Sequence, residues 1–147
     1  MSKKQSRPAS SNPGMVLVIT YCVLFAVNAL VLYAAHVFFP QYVVLGTATI
    51  SLVWAIVLSM GTLALVDVLA IPFIHEIEKM KRRKLSSMEW MIKYLILNFL
   101  GIGVITRFSF QLGLGINSWY VIAALAVVFD LVQGVAMMEL ERVRTRK

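Results

Sequence analysis

A chain of 147 residues that is 60% hydrophobic and 14% charged, with a mean hydropathy of +0.82, has too little polar surface to cover a water-soluble core of its size. That excludes a soluble globular enzyme and a disordered chain, and the single cysteine excludes an intramolecular disulfide. The net charge of +7 is divided among three separate segments, so it forms no continuous face for nucleic acid.

Residues 1–14 carry Lys3, Lys4, Arg7, Pro8, Pro13 and four serines without apolar periodicity, and read as a flexible tail. The apolar run that follows, residues 15–38, is about twice the length of a signal-peptide core and reads as an uncleaved first membrane helix. Cys22 lies inside it and reads as a small core residue. Phe39 and Pro40 end the run, and residues 39–46 contain no Asp, Glu, Lys or Arg. The second run spans residues 47–71. Pro72 follows, and Phe73, Ile74, Ile77, Met80 and Lys81 predict a short amphipathic turn within a basic connection, residues 72–88.

Ser86-Ser87-Met88-Glu89 matches a capping box, in which serine and glutamate satisfy the free amide donors of a helix start. The third run, residues 89–112, begins there and is broken by Gly113 and Gly115. A short uncharged connection leads to the fourth run, residues 118–138, and a basic tail, residues 139–147. Each run reaches the roughly 20 residues that a helix needs to cross about 30 Å of hydrocarbon. The expected fold is therefore all-α, an integral membrane four-helix bundle. Phe38, Tyr42, Trp54, Trp119 and Tyr120 predict an aromatic belt at one interface, and Trp90 and Tyr94 at the other.

Thirteen of the fourteen Lys and Arg residues fall in the amino-terminal tail, the middle connection with Lys93, and the carboxyl-terminal tail. Four crossings bring those segments to one side, and the positive-inside rule assigns that side to the cytoplasm. The expected location is the cell (inner) membrane with both termini cytoplasmic. Aligning residues 28–42 with 98–112 superposes Asn28 on Asn98, Leu30 on Leu100, Phe38 on Phe108 and Gln41 on Gln111. The match predicts two parallel helical-hairpin repeats related by an axis along the membrane normal, and chance similarity of apolar runs is the competing account.

Polar residues inside the runs are the candidate functional positions, because hydrocarbon penalises each of them. Asp67, Arg107 and Asp130 are the ionisable ones. Arg107 leans away from one interface and Asp130 toward it, which predicts a buried ion pair holding the second hairpin in register. An ion or proton relay through the two is one competing reading, and Arg107 reaching headgroups or water by itself is the other. Asp67 is expected to meet water or Lys93 in a structural salt bridge, with a titrating carboxylate as the competing reading, and Asn28 and Asn98 are expected to hydrogen-bond between helices. Leu100, Gly103 and Arg107 are expected to pack against Ala123, Ala126, Asp130, Gln133, Gly134 and Met137.

Conventional chemistry has no recognisable residue set. His75-Glu76-Ile77-Glu78 sets imidazole beside carboxylates, but a zinc site needs three or four ligands and His36 lies near the opposite interface. Ser86 and Ser87 have no neighbouring base, and the glycines follow no strand that would place a phosphate. The chain reads as non-enzymatic, with no cofactor and no metal. Lys79, Lys81, Arg82, Arg83 and Lys84 form the most credible binding surface, for anionic lipid headgroups or a protein partner. Enforcement of topology alone is the bland alternative.

The segments Val27-Asn28-Ala29-Leu30-Val31-Leu32-Tyr33 with Phe39-Pro40, and Leu97-Asn98-Phe99-Leu100-Gly101-Ile102, resemble the small four-helix bacterial membrane proteins grouped as the phage holin family (superfamily IV), over residues 20–138. The resemblance implies a multi-pass inner-membrane protein more firmly than it implies lysis. The basic middle connection and Arg107 depart from that pattern. The expected function is that of a non-enzymatic membrane protein acting through helix association, as a homo-oligomer or a small subunit of a membrane complex. The alternative is an oligomeric channel or transporter using Arg107 and Asp130.

Overall fold

The computed structural model describes residues 12–146, so most of the tail expected at residues 1–14, with Lys3, Lys4 and Arg7, lies outside the described residues, as does Lys147. The elements run α1 (Pro13–Phe38), β1 (Val43–Leu45), α2 (Leu52–Lys81), α3 (Ser87–Arg107), α4 (Ser109–Leu112), β2 (Leu114–Ile116) and α5 (Trp119–Thr145). α1, α2, α3 and α5 are long and apolar enough to cross a membrane. The fold is all-α apart from one short two-stranded ribbon.

Local chemistry sets the helix ends. Asn12 caps α1 by accepting from Gly14 N at 3.1 Å, and Pro13 occupies the first turn, where a missing N–H costs nothing. The capping box at α3 is present: Ser86 Oγ accepts from Glu89 N, and Glu89 Oε2 accepts from Ser86 N. α2 does not stop at Pro72. It continues to Lys81, because the apolar residues beyond the proline keep helical spacing and Ile74 is buried. Proline inside such a helix removes one backbone bond and is tolerated where neighbouring helices support the chain. The expected amphipathic turn is thus the last part of α2, and only residues 82–86 connect it to α3. The third run is likewise divided, since α3 ends at Arg107 and α4 is a separate turn.

The helices form a ring in which α1 packs on α2 and α5, and α3 packs on α5 and α2. α1 buries Thr20, Leu24, Asn28 and Leu32, a strict one-turn spacing that presents a single narrow stripe. α3 buries Asn98, Ile102 and Ile105, while Leu100 and Arg107 are exposed. The predicted Leu100, Gly103 and Arg107 face is therefore rotated away from the packed one. Close approach to α2 occurs instead at Gly101, where a Cβ would stand 2.7 Å from Leu63 Cδ1. The apolar core formed by Leu32, Met60, Leu63, Ile102, Phe129 and their neighbours fills the half of the ring nearer the ribbon.

β1 and β2 pair antiparallel, with Val44 opposite Gly115, and close one end of the ring. Gly46 N donates to Gly113 O at 2.8 Å, and His36 Nδ1 lies 2.9 Å from Val43 O. Gly113 is required in the turn before β2: its φ is +79°, and a Cβ there would lie 2.5 Å from Ala55 Cβ. We call this the ribbon end. The other end carries residues 82–86 and the last turns of α5, and is the basic end.

Candidate functional site

The ring encloses four polar side chains, one from each long helix, midway along their lengths. Asn28, Asp67, Asn98 and Gln133 are all 4% exposed or less. Gln133 joins the others: its Nε2 donates to Asn28 Oδ1 at 2.8 Å, to Asp67 Oδ2 at 3.1 Å and, more weakly, to Asn98 Oδ1 at 3.4 Å, and its Oε1 accepts from Asn98 Nδ2 at 2.9 Å. The two asparagines do bond between helices, through Gln133. Amide groups suit this position, because each offers both donor and acceptor where no water competes. Two atoms of the cluster have no partner, Asp67 Oδ1 and Asn28 Nδ2.

The cluster departs from two expectations. Asp67 does not meet Lys93; it is fully buried among amides, because the extension of α2 to Lys81 places it near mid-height instead of near an interface. Arg107 and Asp130 do not pair. Arg107 is exposed at the last residue of α3, and the ion pairs among the described residues are His75–Glu78, Lys79–Glu76, Arg83–Glu89 and Arg142–Glu139. Asp130 faces inward, 8% exposed, at the edge of a cavity. The Asn98 to Gln133 bond levels α3 with α5; from there Arg107 stands nine residues toward the ribbon end and Asp130 three, roughly 9 Å apart along the axis, and the rotation of α3 turns Arg107 outside the ring. Gln133 was grouped with the packing residues of the fourth run; that it shares the Asp130 face was the available signal.

The cavity, about 440 Å³, opens at the basic end and draws walls from all four long helices. Thr20 and Leu24 come from α1, His75 from α2, Trp90 and Tyr94 from α3, and Asp130, Gln133 and Met137 from α5. Trp90 and Tyr94 stack at 5.8 Å and His75 meets Trp90 edge-on, so these rings, expected at an interface, line the mouth of the cavity. At the ribbon end Phe38, Trp54, Trp119 and Tyr120 are exposed, as a belt requires.

The basic surface is sharper than its sequence. Lys79, Lys81, Arg82, Arg83 and Lys84 are all exposed. Lys79 is held by Glu76, and Arg83 makes a two-pronged contact with Glu89 at 2.7 and 3.0 Å, which raises the guanidinium above its usual value. Among the described residues Lys81, Arg82 and Lys84 have no acidic partner. Arg82 is turned outward by a left-handed backbone, φ 52°, at the end of α2.

Among the described residues no three of His, Cys, Asp and Glu converge as a metal site would require. Compared with known proteins, the chain matches no family model, no curated protein and no solved structure.

Proposed function

We propose that this chain is a multi-pass protein of the cell's inner membrane, with both termini cytoplasmic, that works without catalysis through association of its helices. One observation carries the reading. The polar side chains Asn28, Asp67, Asn98 and Gln133 are turned into the ring, while Leu30, Val53, Leu69, Leu100, Val104, Leu131 and Val135 are each about half or more exposed along its flanks. That is the distribution expected of a protein dissolved in lipid, where an apolar exterior costs nothing and unpaired polar groups are expelled from it. The orientation is supported by the sequence, in which thirteen of the fourteen Lys and Arg residues fall in segments that four crossings would bring to one side.

Within this reading the protein is a holin-like protein or a small subunit of a larger membrane complex, and Lys81, Arg82 and Lys84 touch anionic headgroups or a cytoplasmic partner. Paired repeats fit the same picture. The offset that puts Asn28 on Asn98 puts Val44 on Leu114, one residue from its ladder partner Gly115. A two-fold axis between the halves would pass close to that point, and both asparagines bond to Gln133.

Cross-linking in native membranes tests the association: discrete oligomers or a reproducible partner are expected, and a chain that is monomeric at every expression level overturns it. A second reading, a channel or transporter, is favoured by the cavity that ends on Asp130 and Gln133. Arg107 lies outside that cavity, so the polar path assigned to Arg107 with Asp130 would have to use Asp130, Gln133 and Asp67 instead. Solute flux in proteoliposomes that disappears on cavity mutation would favour it.

A further inference from the structure

The carboxyl group of Asp67 is fully buried, has one oxygen without a partner, and has no Lys, Arg or His among its hydrogen-bonding neighbours. A carboxylate in that setting needs a compensating positive charge. An alkali or divalent ion would require several free oxygen ligands. Only Asp67 Oδ1 is wholly free in the cluster, since Asn28 Oδ1, Asn98 Oδ1 and Gln133 Oε1 each already accept an amide N–H bond and keep one lone pair at most. A proton needs no such shell.

Access to the site is one-sided. Gln133 both lines the basic-end cavity and bonds to Asp67, so the carboxyl group lies one side chain beyond the cavity wall. Asp130 stands on the same wall, and His75, Tyr94 and Glu141 mark a titratable route outward. Toward the ribbon end Leu32, Met60, Leu63, Ile102 and Phe129 are each 0% exposed, and the buried hydroxyl among them, Ser59, does not titrate and is taken up by Ala55 O. We propose that Asp67 is a proton-binding site that exchanges with the aqueous phase at the basic end, through the cavity and past Gln133, and is sealed from the ribbon end.

Uptake is a simple transfer. A hydronium ion in the cavity gives its proton to the Asp67 carboxylate, directly or by way of Asp130, leaving water and a neutral acid among the amides. The titratable groups bearing on Asp67 are Asp130 from α5 and Tyr94 from α3. α1 contributes Asn28, its Tyr21 being turned to Gly61 O, and on α2 itself His75 and Glu78 lie further toward the basic end. A site open to one side reports the pH of that side and conducts nothing across.

The inference rests on the membrane reading above, so insertion is verified first in the preparation that is tested. The full chain is reconstituted in one orientation, established by protease access to the basic end, with the two aqueous phases buffered independently. A hydrophobic carbodiimide, which modifies protonated buried carboxyl groups, is added, and the adduct is located by mass spectrometry. Raising the pH at the basic end should lower the Asp67 adduct by about tenfold per unit above the midpoint, as one titrating proton requires. The same change at the ribbon end should leave it unaltered. An adduct that follows ribbon-end pH, ignores both sides, or forms on Asp130 alone overturns the proposal; a chain that does not insert fails at the first step and takes the membrane reading with it. Wild-type protein suffices for this test. An Asp67→Asn variant that folds should also lose the infrared band of the protonated carboxyl, which Asp130→Asn should keep.

Discussion

The two ends of the bundle are closed by different means. At the ribbon end the chain is closed by backbone hydrogen bonds between β1 and β2, the Gly46 to Gly113 bond and the apolar core beneath them, and the pocket of about 520 Å³ between α1 and α5 there is lined by apolar residues such as Val31, Phe38, Leu125 and Val128. At the basic end the connection is residues 82–86 alone, and the cavity runs inward to Gln133. Backbone pairing specifies its partners through geometry and tolerates a short apolar sequence. A cavity lined by aromatic and titratable side chains lets water and solutes approach the polar core. Stability should therefore be concentrated at mid-height and at the ribbon, and adaptability at the basic end.

The strongest way to break that contrast is to remove the group shared by all four helices. Gln133→Leu leaves Asp67 Oδ2, Asn28 Oδ1 and the Asn98 amide without their partner. Membrane hydrogen bonds average well under 2 kcal/mol each, but several fail together, so we expect a loss of about 3 kcal/mol. Unfolding in mixed micelles by added denaturing detergent measures it. A loss under about 1 kcal/mol would mean that the amides re-pair among themselves, and the mid-height cluster would not be a unit.

At the ribbon end Gly113→Ala should cost about 2 kcal/mol, from a left-handed backbone combined with a Cβ 2.5 Å from Ala55 Cβ. Gly103→Ala is the control, because a Cβ there meets nothing within 4 Å and alanine favours the helix. If the two variants unfold alike, the ribbon is not the tight closure described above. Below these in size is Ser86→Ala at the basic end. Loss of the bond from Glu89 N should cost about 1 kcal/mol and fray the first turn of α3, which amide hydrogen exchange would detect.

The parts legible in the sequence were those governed by one-dimensional rules. Length and apolarity located four helices, and the Ser86 and Glu89 pair fixed the start of α3 because a capping box is a purely local device. The asparagines bond between helices as expected, both through Gln133, because a polar side chain in an apolar helix has few other partners. What escaped depended on rotation about a helix axis. Arg107 and Asp130 were expected to converge, yet leaning says nothing of rotation: α3 presents Asn98, Ile102 and Ile105 to the core instead of Arg107, and ends at Arg107 roughly 9 Å nearer the ribbon end than Asp130. Gln133 became the centre of the cluster only because four helices bring their midpoints together. β1 and β2 are three residues each, too short to announce themselves, and are defined by their pairing. Pro72 misled for a related reason: a helix supported by neighbours survives a proline that would end an isolated one.

The smallest effect belongs to Arg107, and it sharpens the contrast most economically. An arginine in an apolar helix invites a functional role, and a buried ion pair with Asp130 would make Arg107→Leu lose several kcal/mol, because Asp130 would be left without a counter-charge. Here the side chain is exposed on the outside of the ring at the end of α3, with no acidic partner among the described residues. Its length suits a guanidinium that reaches toward the headgroups or water beyond the ribbon end. Replacement by leucine should then change stability by no more than about 0.5 kcal/mol, as for other surface positions. It should also leave the labelling of Asp67 untouched, because that site communicates with the opposite end. A large loss of stability, or altered labelling, would place Arg107 inside the polar network and would require α3 to be rotated from the position described.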